Sequence, residues 1–176
     1  MLASTEIIEQ LPRGFVFNTW YVAMWGSDLQ EAKLVPKTIL NEQIVFFRKE
    51  DGSVAAITDR CAHRFAPLSM GKLIPGDRIQ CIYHGLEYSA NGKCVKNPHA
   101  PCTIPEITNF KSYPVEEKYS LIWIWMGDEP ADQSLIPDYS CLIDTPEMYV
   151  TRPGYLKVNA NYQLVVDNLL DLSHTS

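Results

Sequence analysis

Along the first two thirds of the chain, apolar and polar positions fall into short runs cut by turn residues. Gln43–Arg48 and Val54–Thr58 are apolar, β-branched or aromatic runs that flank Asp51-Gly52, which predicts a hairpin. Glu87-Tyr88 and Lys93–Val95 flank Asn91-Gly92, a second hairpin signal. Arg78–Tyr83 reads as a further strand, and Ser112–Glu116 and Leu121–Met126 as two more. Leu121–Met126 carries two tryptophans and is expected to be a buried core strand. Many short strands separated by Gly, Pro and Asn turns imply a mainly β fold, a small sandwich or barrel.

The pattern changes after Met126. Gly127–Asp132 is polar and turn-rich and reads as a linker. Proline-bearing loops follow at Ile136-Pro137-Asp138 and Thr145-Pro146-Glu147, and Tyr149–Val158 is compatible with a strand or two. This places one domain over residues 1–130 and the start of another over 131–176. The last segment, Asn161–His174, has helical spacing. Tyr162, Val165, Val166, Leu169 and Leu170 fall at i, i+3, i+4, i+7 and i+8, and Asn161 is suited to cap them. Asp167, Asn168, Asp171 and His174 share the opposite side, where Asp171 and His174 are neighbours at i and i+3 on a continuous helix. By spacing alone, that side is the solvated face of an amphipathic helix.

Composition narrows the class without identifying it. The 176 residues are 46% hydrophobic and 20% charged, ordinary for a globular protein. A net charge of −6 argues against a nucleic-acid binder, which needs a basic face. No run of about 18 uncharged apolar residues is present to span a membrane. Met1–Gln10 contains Glu6 and Glu9 and no basic stretch, unlike a secretory signal, so a cytoplasmic protein is expected.

The candidate chemistry lies in two short motifs, Cys61-Ala62-His63 and Cys81-Ile82-Tyr83-His84, separated by the 17 residues Arg64–Gln80. Each offers a thiolate and an imidazole from one tight loop. Together they make the Cys2His2 set of a Rieske [2Fe–2S] centre, in which two thiolates hold one iron and two histidines the other. Imidazole brings less negative charge than thiolate, so such a centre is a moderate-potential one-electron relay. A zinc finger pairs Cys with Cys and His with His, whereas each motif here mixes the two. Incidental placement would require two of five cysteines and two of four histidines to fall at ligand spacing by accident. Cys94, Cys102 and Cys141 read as free thiols. Gly71, Gly76 and Gly85 are placed to permit tight loops, Pro67 and Pro75 to stiffen the segment between the motifs, and loop amides to donate to the sulfurs. Tyr83 and Arg64 are read as tuning or packing groups, and Ser69 and His99 as structural ones.

Cys61-Ala62-His63-Arg64-Phe65-Ala66-Pro67-Leu68-Ser69 and Cys81-Ile82-Tyr83-His84-Gly85 resemble the Rieske motifs of the Rieske non-heme iron oxygenases. With Gly85-Leu86-Glu87-Tyr88, Asn97-Pro98-His99 and Leu121-Ile122-Trp123-Ile124-Trp125, the chain is similar to the vanillate O-demethylase branch. Phe65 stands where many ring dioxygenases carry glycine. The resemblance runs from about Trp20 to the last residue and implies a Rieske β-sandwich followed by the beginning of an α+β, helix-grip-like catalytic domain. Asn168-Leu169-Leu170-Asp171-Leu172-Ser173-His174 looks like the start of the mononuclear iron motif. By that match His174 is the first ligand of a non-heme Fe(II). Asp171 is the bridge to a Rieske histidine, His63 or His84, of a neighbouring subunit, and Asn168 supports the region.

The resemblance further implies a terminal oxygenase, a homotrimer fed by an NAD(P)H-dependent flavin/iron–sulfur reductase, possibly through a ferredoxin. It would act with O2 on a small aromatic substrate, by O-demethylation of a methoxybenzoate-type compound. Ring hydroxylation or methyl oxidation is the alternative chemistry, and a Rieske ferredoxin the alternative class. The family's second histidine lies three residues past Ser176, so the catalytic iron site is expected to be incomplete in this stretch. None of Asp138, Asp144 or Glu147 has the motif context to complete it.

Overall fold

Strand β3 (Glu42–Arg48) buries four consecutive residues, Ile44 to Phe47, each with 0% exposure. Side chains of a strand alternate between faces, so this strand must be covered on both sides. The computed structural model, which describes residues 14–99, 110–143 and 154–175, shows how that happens. β3 is central in a four-stranded antiparallel sheet, ordered β2 (Val35–Ile39), β3, β4 (Val54–Thr58), β9 (Ser112–Tyr113). Ile44, Phe46 and Ala56 face a three-stranded sheet of β1 (Thr19–Trp25), β11 (Leu121–Met126) and β10 (Val115–Lys118). Val45, Phe47, Ala55 and Ile57 face the other way, onto Leu68, Ile79, Leu86 and Tyr88. The last three belong to or border a second four-stranded sheet, β5 (Lys72–Ile74), β6 (Arg78–Gln80), β7 (Glu87–Ser89) and β8 (Cys94–Lys96).

The expected hairpin around Asp51-Gly52 joins β3 to β4, with Gly52 at a φ of 83°. That around Asn91-Gly92 joins β7 to β8. The run Arg78–Tyr83 stops being a strand at Gln80, because Cys81 opens a turn. Ser112–Glu116 is two strands rather than one. Pro114 lacks an N–H and cannot continue a ladder, so β9 pairs with β4 while β10 crosses over to pair with β11. β1, β2 and β5 are strands with no counterpart in the sequence-based expectation.

β11 is buried at every position. Ile122, Ile124 and Met126 point at the central sheet, and Leu121, Trp123 and Trp125 point away. The polar segment after Met126 covers this outer face. Trp20 Nε1 donates to the Asp132 carbonyl (2.7 Å), Trp125 Nε1 donates to the Glu129 carbonyl (2.9 Å), and Ile136 is buried against the tryptophans.

Helix α1 spans Tyr162–Leu170, capped by the Asn161 side chain, which accepts from the Gln163 amide at 2.9 Å. The helix was expected to continue to His174, but Asp171 has φ −80° and ψ 93°, and Leu172–Thr175 forms a separate 3-10 turn. Asp171 and His174 are therefore not one helical turn apart on a shared face. Leu169 and Leu170 are exposed, while Tyr162 reaches the carbonyl of Gly14 (2.7 Å) and the ring of Phe15. Asp144, Thr145-Pro146-Glu147, the first part of Tyr149–Val158 and Cys102 lie outside the described residues, and residues 154–158 form no strand. Among the described residues, no helix is long and apolar enough to cross a membrane.

Candidate functional site

The ligand motifs occupy two adjacent loops at one end of the small sheet. Cys61–His63 follows β4, and Cys81–His84 joins β6 to β7. The loops close by the same pair of backbone hydrogen bonds. In the first, the Phe65 amide donates to the Cys61 carbonyl (2.9 Å) and the Cys61 amide to the Ala66 carbonyl (2.9 Å). In the second, the Gly85 amide donates to the Cys81 carbonyl (3.0 Å) and the Cys81 amide to the Leu86 carbonyl (2.8 Å). The fifth residue of each is left-handed: Phe65 at φ 58° and Gly85 at φ 74°. The histidine is third in the first loop and fourth in the second. Gly71 lets the two halves approach, since a Cβ there would lie 2.3 Å from the Gln80 carbonyl oxygen, next to Cys81.

This geometry separates the four donors into two pairs. Cys61 and Cys81 are 2% exposed and belong to the apolar cluster of Leu68, Ile79 and Leu86. His63 and His84 lie on the outer side, Nδ1 to Nδ1 at 2.9 Å, with ring centroids 4.4 Å apart. Two imidazole nitrogens sharing one tetrahedral metal at about 2.1 Å stand about 3.4 Å apart, so this pair is already placed for a common metal. Among the described residues, no three His, Cys, Asp or Glu side chains close around a single ion. A two-iron cluster, with sulfurs on the inner iron and imidazoles on the outer, fits that division; a single zinc does not.

Burial pushes the Cys81 thiol up, and the backbone amides of Tyr83 and His84 act against this by hydrogen-bonding its sulfur. Those are the amide-to-sulfur bonds expected from the loop. The Tyr88 hydroxyl accepts from the Ala62 amide (2.9 Å) and lies 3.6 Å from Cys61 Sγ. Burial raises the Tyr88 phenol, so it stays protonated and able to donate. On the outer side, desolvation and then the nearby His63, His99 and Arg64 lower the pKa of His84. Tyr83 packs on the His84 ring with centroids 3.9 Å apart, and His99 lies edge-on at 5.9 Å. Arg60 stacks on Phe65, 3.9 Å from its ring centre.

The structure brings Cys61, His63, Cys81 and His84 together. Among the described residues, no hydrogen bond or ion pair links Asn168 or Asp171 to these loops. Asp171 instead accepts from the Ser173 amide (3.0 Å) and hydroxyl (2.5 Å), starting the final turn, while Asn168 sits exposed on α1. His174 falls in that turn, and its side chain lies outside the described residues. Asp59 was not named from sequence, and Glu87 and Tyr88 were named only as part of a hairpin and of the family-like stretch, with no role at the site. The signal for Tyr88 was a phenol four residues after the candidate ligand His84. For Asp59 and Glu87 it was a carboxylate just before or after a ligand loop.

Residues 19–114 match the Rieske [2Fe-2S] domain family, and the chain belongs to that family. Within it, the similar proteins are oxygenase components. The chain is 49% identical over 161 residues to the oxygenase component of dicamba O-demethylase from Stenotrophomonas maltophilia, covering 91% of this chain and 46% of that protein. It is 45% identical to the iron-sulfur subunit TsaM1 of the toluene-4-sulfonate monooxygenase system of Comamonas testosteroni, covering 91% and 45%. Its fold superposes on the crystal structure of dicamba monooxygenase bound to dicamba with a TM-score of 0.82 at 49% identity, covering 91% of this chain and 47% of that one. The chain thus spans about half the length of the relatives it matches.

Proposed function

We propose that the protein is the terminal oxygenase component of a Rieske non-heme iron monooxygenase, in which Cys61, His63, Cys81 and His84 hold the [2Fe–2S] cluster. The observation that carries this reading is the pairing of two buried sulfurs with two outward imidazoles at the ends of twin loops. The cluster, when bound, supplies one-electron transfer at moderate potential. The chain's own residues set the conditions for it. Cys61 and Cys81 lie among apolar side chains that exclude water from the inner iron's ligands. His63 and His84 present the other end at the surface, where an electron can enter or leave. The hydrogen-bonded loops on a small sheet hold the ligands with little rearrangement between oxidation states.

In the same reading, His174 is the first ligand of a mononuclear Fe(II), Asp171 bridges to a Rieske histidine of a neighbouring subunit, and Asn168 supports them. A carboxylate suits the bridge because it can accept from two imidazole N–H groups and orient both. Bridging between copies calls for a closed head-to-tail ring, and the homotrimer that the family resemblance implies fits it. Electrons would come from NAD(P)H through a flavin and iron–sulfur reductase. For the substrate we favour a methoxybenzoate-type aromatic acid undergoing O-demethylation, as in the vanillate O-demethylase-like branch. The identity to dicamba O-demethylase supports this, and the nearly equal identity to a toluene-4-sulfonate system makes aryl-methyl oxidation the second choice. The stretch Asn168–His174, which resembles the start of the mononuclear iron motif and lies beyond the Rieske sheets, favours an oxygenase over a free-standing ferredoxin.

The test is iron and acid-labile sulfide per chain in the full-length protein, followed by formaldehyde release from methoxybenzoates with reductase and NAD(P)H. Three irons to two sulfides, with formaldehyde, is the expected result. Two irons to two sulfides and no oxygen uptake would instead make it an electron carrier.

A further inference from the structure

Two charged side chains are buried among the described residues, Asp59 at 6% exposure and Glu87 at 2%, and each sits at the base of one ligand loop. Asp59 lies two residues before Cys61. Its amide donates to the Gln43 carbonyl of β3 (2.8 Å), anchoring it to the central sheet. Its carboxylate accepts from the Ser69 amide (2.7 Å) and the Ser69 hydroxyl (2.6 Å). Residues 59 to 69, with Cys61 and His63 inside, are thereby tied off at the neck. Both carboxylate oxygens of Asp59 are therefore engaged by the same residue, Ser69. Among the described residues Asp59 forms no ion pair.

Glu87 lies three residues after His84, as the first residue of β7. It accepts from Arg78 of β6 (2.7 Å) and Lys96 of β8 (2.9 Å), with Gln80 at 3.5 Å. The strand that leads into Cys81, the strand that leaves His84 and the next strand are clamped through this one carboxylate. A buried charge is costly unless its partners are fixed, and its removal is felt by every group it orders. Burial also strengthens its field at nearby groups, because little water screens it.

We propose that Asp59 and Glu87 are paired positioning residues, one per ligand loop, that hold the cluster ligands in place and act as fixed negative charges lowering the reduction potential of the cluster. This rests on the reading of Cys61, His63, Cys81 and His84 as Rieske ligands. A negative charge near the cluster opposes the incoming electron, so neutralising it favours the reduced form. Lys96 acts with the opposite sign, because removing it leaves Glu87 less compensated.

The test measures the midpoint potential, the EPR spectrum of the reduced cluster and the rate of cluster loss in full-length, cluster-loaded protein. Asp59→Asn and Glu87→Gln are each expected to shift the reduced-to-oxidised ratio about tenfold toward reduced, about 59 mV upward for one electron. Lys96→Met, at a mostly exposed residue, is expected to shift it downward. Ser69→Ala keeps the charge of Asp59 and loosens the neck, so it should speed cluster loss with no upward shift. Asp51→Asn, an exposed carboxylate in the β3–β4 turn, is the control and should shift the ratio less than twofold. If Asp59→Asn or Glu87→Gln does not retain a cluster, the sign for Lys96→Met and the loss rate for Ser69→Ala carry the test. The proposal is overturned if the buried-site variants move no further than Asp51→Asn, or if Glu87→Gln and Lys96→Met shift in the same direction. A wild-type protein with no Rieske EPR signal would overturn the cluster reading itself, a result distinct from either.

Discussion

The Tyr88 hydroxyl stands between the Ala62 amide, at 2.9 Å, and Cys61 Sγ, at 3.6 Å. It accepts from the amide, which directs its own proton toward the sulfur. With Cys61 bound to iron as a thiolate, as proposed, the sulfur would have no proton to give and the phenol would be the donor. Such a bond draws negative charge off the ligand sulfur, which stabilises the reduced cluster and favours electron uptake. Tyr88→Phe keeps the buried ring and removes the donor. We expect a lower reduction potential with unchanged iron content. At about 1 kcal/mol for the bond, the drop is roughly 40 mV. Protein-film voltammetry reads it directly, and an unchanged potential would show that the proton points elsewhere.

The twin loops place opposite residue types in the same left-handed position. Gly85 adopts φ 74° at no steric cost, and a Cβ added there meets Pro98 Cγ at 3.5 Å, an ordinary contact. Gly85→Ala should therefore cost about 1–2 kcal/mol through the backbone alone. Phe65 already bears that cost at φ 58°, partly offset by Arg60 against its ring at 3.9 Å. Phe65→Gly should be near neutral, within about 0.5 kcal/mol, because backbone relief opposes the lost cation–π contact and the greater freedom of the unfolded chain. Urea denaturation of both variants decides the matter. Equal destabilisation by the two would contradict equivalent loops.

The covered tryptophan face predicts a stability effect in a segment whose composition suggests none. Ile136 is buried beside Trp20, Trp123 and Trp125. Ile136→Ala should cost about 2–3 kcal/mol. Trp20→Phe, which loses the bond to the Asp132 carbonyl, should cost about 1 kcal/mol on that account. Both variants should also speed proteolysis between Gly127 and Leu142. A cleavage rate equal to wild type would mean the segment is not held by this face.

These cases show where the sequence was readable. Apolar runs and turn pairs marked β3, β4, β7, β8 and β11, because their residues serve one local purpose. The candidate ligand set was legible from spacing, and the structure brings Cys61, His63, Cys81 and His84 together because each lies within a loop closed on itself. What was hidden depended on distant partners. Gly127–Asp132 is polar in its side chains, yet its Asp132 backbone carbonyl serves the Trp20 indole 112 residues away, and its Glu129 carbonyl serves Trp125. Pro114 was visible, but that it moves the chain between sheets follows from the pairing of β9 and β10. The helical period of 161–174 was correct as far as Leu170. There Asp171 bonds Ser173, a local competition with the helix that period alone does not reveal.

Arg48 joins the central sheet to β10 and makes the fold's acid response predictable. Its guanidinium donates to both Glu117 oxygens, at 2.6 and 2.8 Å, and to the carbonyls of Gly26, Leu29 and Gly52. Hydrogen bonding to Arg48 holds the Glu117 carboxyl below its usual range, with burial acting against it, and the same bonding raises Arg48. For a depressed carboxyl, the stabilisation is fully present above the unfolded value, about 4.3. It disappears as pH falls through the lower folded value. The Glu117 side chain is 37% exposed, so solvent screening keeps this contribution modest. Arg48→Met should cost more, about 2–3 kcal/mol, because it also strips three backbone carbonyls of a donor. In urea melts, the gap between wild type and Glu117→Gln should be constant from pH 7 to about 5 and close below about pH 4. A gap that stays open at the acid end would assign the effect of the substitution to packing rather than to the ion pair.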